Sequence, residues 1–158
     1  MTFAFLRRGR AASPGAAIML LALGSLLAAA GCQGTAGQVN VVRAANLTQA
    51  TQLTIAEQVS PGQTNYAPRL TVADEPTIRQ LVSLLDRGLS LGPIARCLGQ
   101  FRLRFSLATG GAQEFEYFCE GGASFLRGDQ AFWQGQQVTP PAQFDDLLRG
   151  LLAAAPPK

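Results

Sequence analysis

The sequence predicts an α+β domain: an antiparallel β-sheet of two hairpins plus an N-terminal strand, packed with two helices. Three observations lead there. Residues 101–119, FRLRFSLATGGAQEFEYFC, alternate apolar and polar on both sides of a glycine-bearing break, the period of two paired strands with one buried face. Residues 74–88 set Ile78, Leu81, Val82 and Leu85 between an aspartate and a glycine, which is one apolar stripe on a helix. Near the end of the chain Phe144, Leu147, Leu148 and Leu151 recur at the same helical spacing.

Taken in order, residues 51–59, TQLTIAEQV, read as the first strand, with Leu53 and Ile55 on one face. Pro61-Gly62 then marks a loop. The first helix has Asp74 as its cap, Pro76 in its opening turn and Gly88 to stop it. In the first hairpin, a two-residue loop at Gly110-Gly111 sets Phe105 opposite Glu116 and mixes the faces. A three-residue loop pairs Phe105 with Phe115, Leu103 with Tyr117 and Phe101 with Cys119, and sets Arg104 opposite Glu116. Residues 124–133 are expected to form a second hairpin turning at Gly128-Asp129, with Phe125 opposite Phe132. Thr139 is the expected cap of the last helix, with Pro140 in its first turn.

The residues ahead of the domain have another character. Arg7, Arg8 and Arg10 precede an apolar run of 15 residues, 16–30, and then small residues lead to Cys32. The run is shorter than the roughly 20 residues of a spanning helix, and the order is that of an export signal. LAAAGC at 27–32 resembles a bacterial lipobox, with Ala30 and Gly31 as the usual small residues and Ala29 where leucine is commonest. The resemblance covers only the leader and Cys32. It implies that a diacylglyceryl group is attached to the Cys32 sulfur, that residues 1–31 are removed, and that the protein is exported and lipid-anchored, on the outer side of the cytoplasmic membrane or in the outer membrane. Three cysteines are an awkward number for an exported chain. With Cys32 lipidated, Cys97 and Cys119 remain as one pair in an oxidising compartment. The small, polar residues that follow Cys32 suit a tether, so the organisation expected is signal peptide 1–31, flexible tether 32–50 and a single domain 51–155.

Charge narrows the partners. The formal net charge is +3, and the three leader arginines carry all of it; the remaining ten basic residues balance ten acidic ones. A nucleic-acid face needs positive charge to spare, so no nucleic-acid partner is expected. The arginines of 101–119 are expected to face carboxylates across the hairpin. Arg127-Gly128-Asp129, an adhesion tripeptide in other contexts, is accounted for as turn chemistry.

The chain has no histidine, which removes histidine-based triads and the usual zinc sites. No metal or cofactor is expected. Its one lysine is the terminal Lys158. Asp74-Glu75 and Asp145-Asp146 sit where helices begin and answer the free amides and dipole there. Carboxylate-only hydrolysis needs no sequence motif and stays open as an alternative. Two aromatics are left once the core is assigned: Phe118 on the charged face of its strand and Trp133 opposite Ser124. They mark a possible binding patch or pocket, unless the last helix covers them. The expectation is therefore a non-enzymatic, membrane-anchored envelope lipoprotein with a small binding or interaction domain and an envelope protein as its possible partner. Capture of a small apolar ligand between sheet and helix is the other alternative.

Overall fold

The computed structural model describes residues 37–119, 122 and 124–156. The leader, Cys32 and residues 33–36 of the expected tether lie outside the described residues. The strands are β1 (Gln38–Val39), β2 (Ala50–Gln58), β3 (Tyr66–Val72), β4 (Leu89–Gly92), β5 (Phe101–Leu107), β6 (Ala112–Tyr117), β7 (Leu126–Arg127) and β8 (Gln137–Val138). They form one antiparallel sheet in the order β1-β4-β8-β7-β6-β5-β2-β3. The helices are α1 (Val41–Ala44), α2 (Glu75–Leu85) and α3 (Ala142–Ala154), with 3-10 turns at Leu47–Gln49 and Ala131–Trp133. The fold is α+β, with more strands than the sequence predicts.

The alternation of β5 and β6 sorts their side chains as expected. Leu103, Phe105, Phe115 and Tyr117 are buried together with Leu53 and Ile55 of β2. Ile78, Leu81 and Leu85 of α2 and Phe144 and Leu148 of α3 join the same cluster, and the two helices touch each other. Both therefore cover one face. The opposite face carries Arg102, Arg104, Glu114 and Glu116. Arg104 bonds Glu114, and Arg127 of β7 bonds Glu116.

Helix α2 follows its sequence signals. The Asp74 carboxylate accepts from the Thr77 N–H at 3.0 Å and its hydroxyl at 2.6 Å, which answers one of the free amides of the first turn. Helix α3 begins two residues later than expected, after Pro141, with no side-chain cap.

Several expectations need correction. The three-residue hairpin loop is present, but it comprises residues 108–110. Leu103 consequently pairs with Phe115, Phe101 with Tyr117 and Arg104 with Glu114. Each apolar partner moves by two positions and stays on its face, because the strand period is two. Gly110 takes φ 89°, a left-handed value that suits glycine. The second hairpin does not form as drawn. β7 pairs with β6 and with β8, while residues 131–133 curl into a 3-10 turn. Phe132 and Trp133 thus leave the sheet, and Phe125 has no cross-strand phenylalanine. Residues 37–50 are not a flexible tether. Asn40 caps α1, and Val39, Val41, Val42, Ala45 and Leu47 are buried in the core. Their apolar residues were too irregularly spaced to announce an element, but together they cover the end of α2. Strand β3 is not among the strands the sequence predicts. It carries Pro68 beside a bulge at Arg69, and a proline inside a strand is admitted only at an edge or bulge.

Candidate functional site

The two cysteines of the domain are joined by a disulfide, Cys97 to Cys119, with Cα atoms 6.0 Å apart. It ties loop 93–100, which connects β4 to β5, to the residue just beyond β6. A disulfide belongs to an oxidising, extracytoplasmic compartment. No described helix is long and apolar enough to cross a membrane.

Arg127 grips the same loop without covalent bonds. Its Nη1 donates to the Ala95 carbonyl at 3.0 Å, and its Nη2 to the Cys97 carbonyl at 2.6 Å. Its Nε and Nη2 also fork onto the Glu116 carboxylate at 2.8 and 2.6 Å. The pair is mostly buried, with 14% and 26% of the two side chains exposed, and such charge-assisted forks fix geometry strongly. The Gly99 N–H points at the same carboxylate. A Cβ on Gly99 would lie 2.8 Å from the Glu116 Cβ and 3.0 Å from the Tyr117 nitrogen, so the loop lies against the strand with no room to spare. Tyr66 closes the far end, its hydroxyl donating to the Gly99 carbonyl at 2.7 Å under the Arg102 guanidinium. Burial, and then the Glu116 charge, raise its pKa and keep the phenol a donor.

The inward grip on Ala95 and Cys97 turns the alternate side chains outward. Ile94 is 48% exposed and Leu98 38%, and Arg96 between them is exposed. The third exposed large apolar residue, Val59 at 57%, follows Gln58, whose N–H donates to the Gln100 carbonyl at 2.9 Å. A cleft of about 470 Å³ lies between these segments, lined among the described residues by Glu57, Gln58, Pro61, Gly62, Cys97, Leu98 and Gln100. The end of the sheet therefore presents a rigid loop whose outward row reads apolar, basic, apolar.

The patch anticipated at Phe118 and Trp133 is not built. Trp133 is 1% exposed, edge-on to Phe115, and its Nε1 donates to Gln130 at 2.6 Å. Phe118 leaves the strand alternation at φ 63°, an uncommon value for an aromatic residue. Its ring lies on Tyr117 and beneath Arg149 of α3, off the charged face. The residues that took their place as surface were legible in GPIARCLG, where proline, cysteine and glycine frame Ile94, Arg96 and Leu98 at a spacing of two.

Four of the described carboxylates have structural partners. Glu57 faces Arg69, Glu75 faces Arg79, Asp86 accepts from Asn40, and Asp145 accepts from the Tyr117 hydroxyl at 2.9 Å. Glu114, Glu116 and Asp129 border a hollow of about 90 Å³, but the first two are held by arginines 102, 104 and 127. Carboxylates paired in this way are committed to holding the strands and the loop together. Among the described residues no three candidate ligands gather around a point where a metal ion could sit. Arg127 is committed to Glu116, so the Arg127-Gly128-Asp129 tripeptide is not displayed for adhesion. Gly128 is there for packing, since a Cβ would fall 2.9 Å from the Glu114 carbonyl. Comparison with known protein families, curated proteins and solved structures finds no match for this chain.

Proposed function

We propose that this chain is a lipid-anchored protein of the bacterial cell envelope, held to the membrane through Cys32, whose domain acts by contact and not by catalysis. The leader with its LAAAGC box supports the anchor, and the disulfide agrees with export. The observation that carries the contact role is loop 93–100. A disulfide and a largely shielded guanidinium fix it, and its exposed side chains include two large apolar residues on either side of a cation. Ordering such a loop before binding lowers the entropy lost on contact.

Site-specific photocrosslinking in native membranes tests the reading. A benzoylphenylalanine replacing Ile94 or Leu98 in the full chain is expected to give adducts several-fold above one replacing Gln143, an exposed residue of α3. Equal labelling at all three positions contradicts it.

A second reading, capture of a small apolar ligand, rests on a groove of about 350 Å³ between α2 and the N-terminal segment, lined by Val42, Leu47, Ile78 and Val82. It moves the ligand site away from Phe118 and Trp133. A fatty-acid fluorophore that binds wild type and is lost on Val82→Glu supports it, and no saturable binding rejects it.

A further inference from the structure

We infer that the partner of loop 93–100 is the phospholipid surface that carries the anchor, with Arg96 set to meet an anionic headgroup and Ile94 and Leu98 to enter the interface. The inference rests on the reading of Cys32 as the lipidated first residue.

Geometry brings the loop to the bilayer. The fold begins much earlier than the sequence indicates, since Gly37 is already paired: its carbonyl accepts from the Leu91 N–H at 2.7 Å. Only four residues, 33–36, then separate Cys32 from Gly37. Fully extended, the five Cα–Cα steps from Cys32 to Gly37 span at most about 17 Å. Ile94 lies three residues along the chain from Leu91, so the place where the chain joins the sheet adjoins the start of the loop. A domain held so close to a membrane meets it at high effective concentration, and a modest surface suffices for stable contact.

Chemistry selects the lipid. An interfacial contact combines apolar side chains buried at the headgroup boundary with basic groups beside anionic lipid. The outward row of Ile94, Arg96 and Leu98 supplies both, and Val59 on the neighbouring segment adds apolar surface. The ten basic residues beyond the leader, Arg96 among them, are balanced by ten acidic ones, so the attraction rests on the exposed position of Arg96 and not on net charge. The inward row stays bound to Arg127, which leaves the loop no route to bury its apolar residues in its own core.

The test uses the full acylated chain in vesicles of phosphatidylethanolamine and phosphatidylglycerol containing brominated lipid, which quenches nearby indoles. Leu98→Trp and Ile94→Trp are expected to be quenched, whereas Gln143→Trp and the native Trp133 are not. With Leu98→Trp as reporter, Arg96→Gln is expected to lower the ratio of engaged to free loop about fivefold when phosphatidylglycerol is present, and to leave it unchanged without it. Loop indoles quenched no more than Gln143→Trp, in protein that floats with the vesicles, overturn the inference and leave the anchor standing. Protein that neither floats nor carries lipid on Cys32 overturns the anchor, and the inference with it. Adducts from Leu98 that contain a protein in place of phospholipid overturn it as well.

Discussion

Single residues divide here by what surrounds them, not by type. Trp133 and Leu98 are both large and apolar; one is sealed among Phe115 and Phe132 and the other stands on a loop. Trp133→Ala should destabilise the fold by about 3–5 kcal/mol, the cost of emptying an aromatic core site, whereas Leu98→Ala should leave the unfolding midpoint in denaturant nearly unchanged. Gly99→Ala should cost about 1–3 kcal/mol through overpacking against Glu116 and Tyr117, read by the same titration. Asp74 adds a pH dependence. The Thr77 side chain and N–H hold its carboxyl below the usual range, so its contribution is full above the unfolded carboxylate pKa and fades as pH falls through the lower folded value. Asp74→Asn keeps a capping oxygen but has no proton to bind. The wild type should therefore lose stability more steeply than this variant as pH falls below about 4, and parallel pH curves would count against the assignment. What the sequence could not show at this scale is the φ of Phe118, because nothing in EYFCE announces a residue that turns left-handed.

At the scale of elements, legibility followed the strength of the period. β2, α2, β5, β6 and α3 carry several repeats each of their pattern and were found within a few residues. β1, β4, β7 and β8 have two to four residues, too few to show any period. The hairpin register slipped by two because parity alone cannot separate registers that keep the same face inward, and the adjacent glycines Gly110 and Gly111 both take left-handed values and so suit either loop. Loop 93–100 has no secondary structure, and its order comes from two attachments that are distant in sequence. Each can be cut separately. Cys97→Ala with Cys119→Ala should lower stability by about 3 kcal/mol on the chain-entropy account of a 22-residue separation. Arg127→Met should cost about 2 kcal/mol, mainly by leaving Glu116 and two carbonyls unanswered. Hydrogen exchange at residues 94–100 should accelerate in both variants while the amides of β5 stay protected. Unchanged exchange in the loop would mean that it is ordered by something else.

For the molecule as a whole, the leader and the domain make separate statements that meet at one cysteine. The three arginines near the N-terminus carry all the net charge; the rest of the chain is formally neutral, and Arg102, Arg104 and Arg127 meet Glu114 and Glu116 on the outer face of the sheet. An export signal is a contiguous pattern and can be read as an expectation from sequence, whereas a contact surface is assembled from distant segments and cannot. The paired Gly37 and the buried Val39, Val41 and Val42 leave at most residues 32–36 of the expected 19-residue tether 32–50, so under the proposed anchor the domain is held close to the membrane. Both the contact role and the lipid-facing loop depend on the state of Cys32. The intact mass of the mature chain extracted from bacterial membranes tests that state most directly. A chain beginning at Cys32 and carrying a diacylglyceryl group on its sulfur is the predicted result; a chain with an unmodified Cys32 thiol, or one cut elsewhere, would contradict it.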